Sequence, residues 1–103
     1  MIWEYDRRNG KIFIYYDTVA WEYTDRAYTV SELIGIFRDE FGIGISDSLW
    51  KKYLNEDYLK SLFNGKGDSE LELQFLLPVS QLKWYRIRIV KTDEETLIIS
   101  GRD

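Results

Sequence analysis

The sequence contains neither cysteine nor histidine, and this double absence removes most of the common catalytic and metal-binding groups. Without them the chain cannot assemble a Ser–His or Cys–His nucleophile, an ordinary zinc site or a histidine-ligated haem. Acid–base chemistry near neutral pH would require a carboxylate, a lysine or a tyrosine with a shifted pKa. We therefore expect that the protein is not an enzyme. The lack of disulfides also agrees with a reducing compartment, so we expect a cytoplasmic location.

Long apolar runs and an excess of positive charge are missing as well. The longest uninterrupted apolar stretches, 33–37 and 75–79, are far shorter than the ~20 residues of a membrane-spanning helix. The opening residues also lack the charged and then apolar pattern of a signal segment, so we do not expect them to act as one. Acidic residues outnumber basic ones by 18 to 14, which gives a net charge of −4. This balance disfavours nucleic acid and anionic membrane surfaces, because both attract cationic proteins.

Aromatic residues are abundant instead: four Trp, eight Tyr and five Phe make up 17% of the 103 residues. Because each ring buries ~150–250 Å², few side chains suffice to build a small core. A chain of this length has enough surface for one such core but not for two. We therefore read residues 1–103 as a single domain. The aromatic excess fits either a solid core or a core with an apolar cavity.

Strand patterns occupy both ends of the chain. Residues 2–5 and 11–16 are β-branched and aromatic, and the Asn9-Gly10 pair between them is typical of a hairpin turn. Near the other end, apolar and polar residues alternate, as in strands with one buried and one wet face. These three predicted strands span 70–75, 82–90 and 96–100. The segment 17–28 fits either a strand or a short capped helix, and both remain open.

Helix signals fill the middle of the chain. Thr29 and Glu32 have the spacing of a capping box, and apolar residues recur behind them with helical period. A second helix is predicted over 46–54. A third begins after Asn55, a favourable N-cap, and ends at Asn64-Gly65. The pattern predicts an α+β domain in which helices pack on one face of a five-stranded antiparallel sheet.

The terminal strands carry a family resemblance. Residues 70–75 (ELELQF), 82–89 (LKWYRIRI) and 97–103 (LIISGRD) resemble the C-terminal half of PAS domains, where a Glu-x-Arg strand precedes a Trp-bearing strand and a Gly-x-x-Asp-Ile-Thr ending. The opening residues 3–6 (WEYD) and 9–12 (NGKI) are similar to PAS domains found upstream of diguanylate cyclase (GGDEF) domains. The order of two strands, a helical block and three strands is also that of the PAS fold.

The resemblance implies a sensory module excised from a larger signalling protein. Such a module binds a small ligand or a protein partner and, through homodimer geometry, regulates a C-terminal effector such as a diguanylate cyclase or histidine kinase. Trp84 and Gly101 match the family's Trp and Gly, and Asp103 matches the Asp of Asp-Ile-Thr. Relatives that hold haem through His, or flavin through a Cys adduct, are not models for this chain. The family's His-Pro-x-Asp motif is also missing; residues 54–57 are nearest to it.

Two groups of residues are candidates for the implied function. Apolar positions of the helices and of the sheet face opposite them either form ordinary core or line a ligand cavity. These candidates for ligand binding are Phe37, Trp50, Tyr53, Leu59, Phe63, Leu73, Phe75, Tyr85 and Ile87. The second group is expected on the outer sheet face or at the exit to the effector, where it would serve signalling or dimer packing. It comprises Trp3, Tyr5, Trp84 and Asp103.

Several alternatives stay open beside this interpretation. The basic side chains of Arg86 and Arg88 either bind an anion or pair across strands with Glu70 and Glu72. The acidic run 93–95 lacks the spacing of a calcium loop and is expected to be a solvated turn. Two other functions compete with sensing. One is a ligand-free interaction or dimerisation domain, and the other is a small enzyme with an inward-pointing carboxylate, for which every assignable acid lies on a polar face or a turn.

Overall fold

The computed structural model describes residues 1–17, 21–39, 54–66, 68–76 and 82–102, and for residues 37, 65, 66, 68–76 and 82–85 it describes the backbone alone. In chain order, the elements are β1 (Ile2–Asp6), β2 (Lys11–Tyr16), a 3₁₀ turn (Trp21–Tyr23), β3 (Arg26–Thr29), α1 (Val30–Asp39), α2 (Glu56–Ser61), a π-helical turn (Leu62–Lys66), β4 (Asp68–Leu76), β5 (Leu82–Lys91) and β6 (Thr96–Arg102).

The predicted hairpin of β1 and β2 is confirmed, and its turn is closed by the residues that predicted it. Gly10 adopts a φ of 69°, a value that favours glycine, and its amide donates to the carbonyl oxygen of Asp6 over 2.8 Å. The Asp6 carboxylate accepts the amide of Arg8, and the Asn9 side chain accepts the amide of Lys11. At the far end of the hairpin, a bulge between Ile2 and Trp3 shifts the register.

The sheet is antiparallel throughout the described residues and has the strand order β3-β2-β1-β6-β5-β4. It contains the five predicted strands and one more, because the short strand β3 extends the edge beside β2. The first and last strands, β1 and β6, are therefore neighbours near the middle of the sheet. The α+β class and the antiparallel arrangement are confirmed.

Strand β3 comes from the segment that the sequence left open. Residues 18–20 lie outside the described part of the chain, and Trp21–Tyr23 form one 3₁₀ turn rather than a strand. The hydroxyl of Tyr28 donates to the carbonyl of Tyr23 over 3.0 Å, which holds this turn beside β3. The pairing of Arg26–Thr29 with β2 then makes the strand, although its own residues show no apolar alternation.

Both described helices begin at the predicted caps. The hydroxyl of Thr29 accepts the amide of Glu32 over 3.1 Å, and the Glu32 carboxylate accepts the amide of Thr29, which completes the capping box of α1. Asn55 caps α2 by accepting the amide of Tyr58 over 2.7 Å. Helix α2 then continues as the π-helical turn Leu62–Lys66, where the sequence had predicted a left-handed end at Asn64-Gly65. The predicted helix over 46–54 falls almost entirely outside the described residues.

The core lies between one face of the sheet, here called the inner face, and the helices. Alternate residues of four strands meet apolar residues of α1, α2 and the π-helical turn in one cluster. Its members are Trp3, Tyr5, Ile12, Ile14, Val30, Leu33, Leu54, Leu59, Leu62, Phe63, Ile87, Ile89, Leu97 and Ile99. None of the helices in this described part has the length and apolar character that crossing a membrane demands.

Candidate functional site

The candidate site is the part of the inner face that lies near α2 and the π-helical turn. Its centre is Tyr5 of β1, which the register places between Ile12 of β2 and Leu97 of β6. All three residues are 0% exposed. The ring of Phe63, from the π-helical turn, lies 6.4 Å from the Tyr5 ring between centroids and is tilted by 43°. Strands below and a helical turn above therefore enclose the Tyr5 ring.

This position corrects the prediction for two aromatic residues. Trp3 and Tyr5 were expected on the outer sheet face with Trp84, but they are 4% and 0% exposed and belong to the core. The physical reason is strand alternation, because Glu4 and Asp6 occupy the opposite face of β1 and are partly exposed. Neither ring is therefore available to an outer patch. The side chain of Trp84 and the whole of Asp103 lie outside the described residues.

The predicted ligand-binding residues divide into three groups. Leu59, Phe63 and Ile87 are buried and belong to the core cluster around Tyr5. The backbone alone is described for a second group, which comprises Phe37 on α1, Leu73 and Phe75 on β4, and Tyr85 on β5; the register pairs Leu73 with Tyr85. Trp50 and Tyr53 lie outside the described part of the chain. The structure therefore brings three of the predicted residues into the cluster that contains Tyr5.

The Tyr5 hydroxyl is a buried polar atom that makes no hydrogen bond to the described residues. Burial raises the pKa of this phenol above its ordinary value of 10.0, and the negative charges of Glu56 and then Asp6 raise it further. The hydroxyl is therefore neutral over the physiological range. A neutral phenol can donate one hydrogen bond and accept others.

Charged side chains line the border of this site. Glu56 is the first residue of α2, and its Oε1 lies 2.6 Å from the position that a Cβ would take at Gly10. The start of α2 therefore lies close to the β1–β2 turn, where the positive φ of Gly10 favours glycine. The Cζ of Arg7, from the same turn, lies 4.8 Å from the centre of the Phe63 ring, a cation–π distance. Arg7 also forms an ion pair with Glu95 (Nε to Oε2, 3.0 Å).

A buried carboxylate lies elsewhere in the core and corrects a second prediction. Asp17 is 4% exposed, whereas the sequence placed every acid on a polar face or a turn. The indole Nε1 of Trp3 donates to its Oδ2 over 3.0 Å. No local sequence pattern predicts this burial, because an aspartate directly after a strand usually indicates an exposed turn. This hydrogen-bond partner lies fourteen positions away in the sequence.

The outer face of the sheet, opposite the inner face, has both apolar and charged side chains. The register aligns Phe13, Glu4, Ile98 and Val90 in one row across four strands. The neighbouring Tyr15 is 51% exposed, lies 4.7 Å from the Phe13 ring between centroids, and donates its hydroxyl to Glu4 over 3.0 Å. That hydrogen bond and the Glu4 charge raise the pKa of Tyr15 above 10.0. Apolar rings and aliphatic side chains therefore reach the surface on this side.

The basic residues of β5 also lie on the outer face. Arg86 and Arg88 are exposed, and the register sets them directly opposite Glu72 and Glu70 of β4. This is the arrangement expected for cross-strand charge pairs and not for a free anion site. Glu70 and Glu72, which the sequence suggested as partners, therefore lie opposite the two arginines in the sheet.

The acidic run 93–95 lies in the turn between β5 and β6. Asp93 accepts the amides of Glu95 and Thr96, and these hydrogen bonds lower its pKa below 3.8, so the carboxylate closes the β5–β6 turn. Within the described ranges, no group of three or more acidic side chains could hold a metal ion. At the other end of β6, the amide of Gly101 donates to the carbonyl of Met1 over 3.1 Å.

Sequence reasoning missed Tyr5 as a member of the inner site, and the missed signal is simple. Charged Glu4 and Asp6 alternate with Trp3 and Tyr5, which marks the aromatic positions as the inward ones. Glu56 was not among the predicted site residues, since its approach to Tyr5 depends on how α2 docks. Comparison of the chain with models of protein families, with curated proteins and with solved structures gives no match.

Proposed function

We propose that the chain is a PAS-like sensory module whose inner site takes up a small ligand and whose last strand passes the change to an effector attached after residue 103. In this proposal the module works in the cytoplasm, in a larger signalling protein, and acts as a homodimer. The effector is a diguanylate cyclase or a histidine kinase, as the resemblance implies. The module itself is not an enzyme and requires no metal or covalently held cofactor.

The observation that carries the proposal is the position of β6. This strand pairs with β1 on one side and β5 on the other, so it lies inside the sheet rather than at an edge. Its residues Leu97 and Ile99 are in the core cluster beside Tyr5 and Ile87. The same strand continues to Arg102, where the chain would leave for an effector. A change in the packing of the core would therefore be passed directly along β6 to its C-terminal end.

The surface on the other side of the sheet supports the homodimer part of the proposal. Ile2 is 45% exposed and Tyr15 is 51% exposed, and both lie on the outer face. Apolar and aromatic groups of this kind are enriched at protein interfaces. Because β6 contributes Ile98 to the same face, a rearrangement of β6 would reach the core and the interface together.

A reporter fusion tests the coupling. The chain is fused to the N-terminus of the catalytic domain of a diguanylate cyclase, which is active only as a dimer. In a series of fusions, the linker is lengthened one residue at a time until it has grown by a full heptad. Ile99→Val shortens a side chain of β6 that packs in the core. We expect it to alter the cyclase rate for at least one linker length. The matched control is Glu94→Gln in the exposed β5–β6 turn, which should leave the rate unchanged. If no fusion in the series distinguishes the two variants, the coupling proposal is wrong.

A ligand-free interaction domain is the main competing function, and the filled part of the core favours it. Seven large side chains of the described residues are completely buried. A thermal-shift screen against a metabolite library separates the two functions, since a ligand at 100 times its Kd adds ~2.7 kcal/mol of stability. A library that gives no reproducible shift would favour the interaction domain.

The buried carboxylate of Asp17 supplies the feature that a carboxylate-based enzyme would need. Its hydrogen bond to Trp3 gives it a structural task instead, because the indole N–H would otherwise lose this acceptor. We therefore favour the sensory function over the enzymatic one.

A further inference from the structure

The Tyr5 hydroxyl is the polar atom at the centre of the inner site. The Tyr5 hydroxyl is buried on a residue that is 0% exposed, and it has no hydrogen-bond partner among the described residues. Leaving a donor unsatisfied in the interior is unfavourable, and native structures contain few such groups. When one persists in the centre of a site, a bound molecule that supplies the missing acceptor is a physical explanation for it.

The surroundings of this hydroxyl define what the missing molecule can be. Ile12 and Leu97 flank the Tyr5 ring, and Leu59 and Phe63 come from the helical side, so the neighbours are apolar. Phe63 also belongs to a π-helical turn, a rare geometry that is frequent at functional sites. An apolar enclosure with one convergent polar group is the usual composition of a small-molecule site.

The charge near the site restricts the ligand further. The Glu56 carboxylate lies against Gly10 of the β1–β2 turn, at the border of the site, and its charge adds to the effect of burial in raising the pKa of the Tyr5 phenol. A second anion bound at the hydroxyl would be repelled by Glu56 and would lose its hydration among apolar side chains. Carboxylates and phosphates are therefore disfavoured here, while a neutral oxygen that accepts a hydrogen bond meets no such penalty.

We infer that the Tyr5 hydroxyl anchors the ligand of this module by donating a hydrogen bond to the carbonyl or hydroxyl oxygen of a small, uncharged, mainly apolar compound. This inference rests on the proposed function for the idea that the inner site takes up a ligand. It adds the ligand class, the atom that recognises it and the residue, Glu56, that rejects anions.

Three probes of nearly equal shape test the inference. Acetophenone has the neutral acceptor, α-methylstyrene replaces its oxygen by a methylene group, and benzoate carries a negative charge. Their dissociation constants are measured by NMR titration of the chain and of Tyr5→Phe. We expect acetophenone to bind the unmodified chain roughly tenfold more tightly than Tyr5→Phe, the factor that corresponds to about 1.4 kcal/mol. α-Methylstyrene should bind both proteins equally, and benzoate should bind most weakly. Equal binding of acetophenone to both proteins, or no binding of it, would overturn the inference.

Two further variants make the test specific. Glu56→Gln removes the charge and should reduce the preference for acetophenone over benzoate; an unchanged preference contradicts the role of Glu56. Tyr5→Phe without any probe should have a Tm equal to or above that of the unmodified chain, because no existing hydrogen bond is lost. A clearly lower Tm would show that an internal water or protein group already satisfies the hydroxyl, and would also overturn the inference.

The two proposals fail separately. Tyr5-dependent binding of acetophenone, combined with a reporter fusion that never responds, would support the ligand site and contradict the sensory function. A responsive fusion, combined with equal binding to Tyr5→Phe, would support coupling and place ligand recognition elsewhere.

Discussion

The indole Nε1 of Trp3 donates a hydrogen bond of 3.0 Å to Oδ2 of Asp17, and both side chains are almost completely buried. The bond joins the inner face of β1 to the residue that follows β2, so it fastens the open end of the hairpin. It lies directly beside the bulge at Ile2 and Trp3, where the ladder between the two strands is irregular. A side-chain bond thus reinforces the hairpin where its backbone pairing shifts.

A double-mutant cycle measures this bond. Asp17→Ala leaves the Trp3 indole without its acceptor, and we expect a loss of about 1–3 kcal/mol in the free energy of unfolding. Trp3→Phe removes the donor and some packing. Because the two residues interact directly, the double variant should lose less than the sum of the single losses. Urea denaturation followed by far-UV circular dichroism provides the values. Additive losses would mean that the bond contributes nothing.

Gly101→Ala should destabilise the fold through one specific contact. Gly101 is paired with Ile87 in the sheet, and an added Cβ would lie 2.8 Å from Ile87 Cδ1 and 3.3 Å from Met1 Cγ. Overpacking of this kind costs about 1–3 kcal/mol. Ile87→Val removes the Cδ1 atom, so it should recover part of the loss when combined with Gly101→Ala. Chemical denaturation of the single and double variants checks this, and no recovery would locate the strain at Met1 or in the backbone.

Asn55→Ala should weaken helix α2 at its start. The Asn55 side chain accepts the amide of Tyr58 over 2.7 Å, and the α-helical part covers only six residues, so the cap serves a large share of its orphan amides. We expect a loss of about 1 kcal/mol in unfolding free energy. Asn55→Ser keeps an acceptor and is the matched control, with a loss of only a few tenths expected by the same ranking. Equal losses for both variants would argue against the capping role.

Alkaline pH should destabilise the chain through Tyr5. Its pKa in the folded state is raised above 10.0, so the fold favours the neutral phenol. That contribution is fully present below pH 10.0 and is lost as the pH rises through the folded-state value. The unfolding free energy should therefore fall more steeply above pH 10.0 in the unmodified chain than in Tyr5→Phe. Urea denaturation on both sides of that pH gives the slopes. Parallel slopes would mean that the folded and unfolded states ionise Tyr5 alike.

Local signals account for the parts of the fold that were predicted correctly. Asn9-Gly10 specifies the hairpin turn, because a positive φ suits Gly10. Thr29 and Asn55 specify helix starts, because their side-chain oxygens accept nearby amides. In each case the decisive contact joins residues at most four positions apart, so a short stretch of sequence contains the whole interaction.

Contacts between distant residues explain what was missed. Trp3 and Tyr5 were grouped with Trp84 by ring type, although the charges that alternate with them indicated the inner face. The burial of Asp17 depends on Trp3, and the setting of the Tyr5 hydroxyl depends on where α2 brings Glu56 and Phe63. Strand β3 exists because β2 offers it a pairing edge. The alternation around Trp3 and Tyr5 is visible in the sequence, but the other relations have no period or motif there.

The pairing of β1 with β6 also determines how the chain must fold. Its partners, such as Ile2 with Ser100, come from opposite ends of the sequence, and contacts of such long range slow folding. During synthesis, the β1–β2 hairpin emerges before β6, so the edge of β1 lacks its β6 partner until that strand has been made. Unpaired edges invite aggregation, so nascent chains of this protein should depend on chaperones more than their small size suggests.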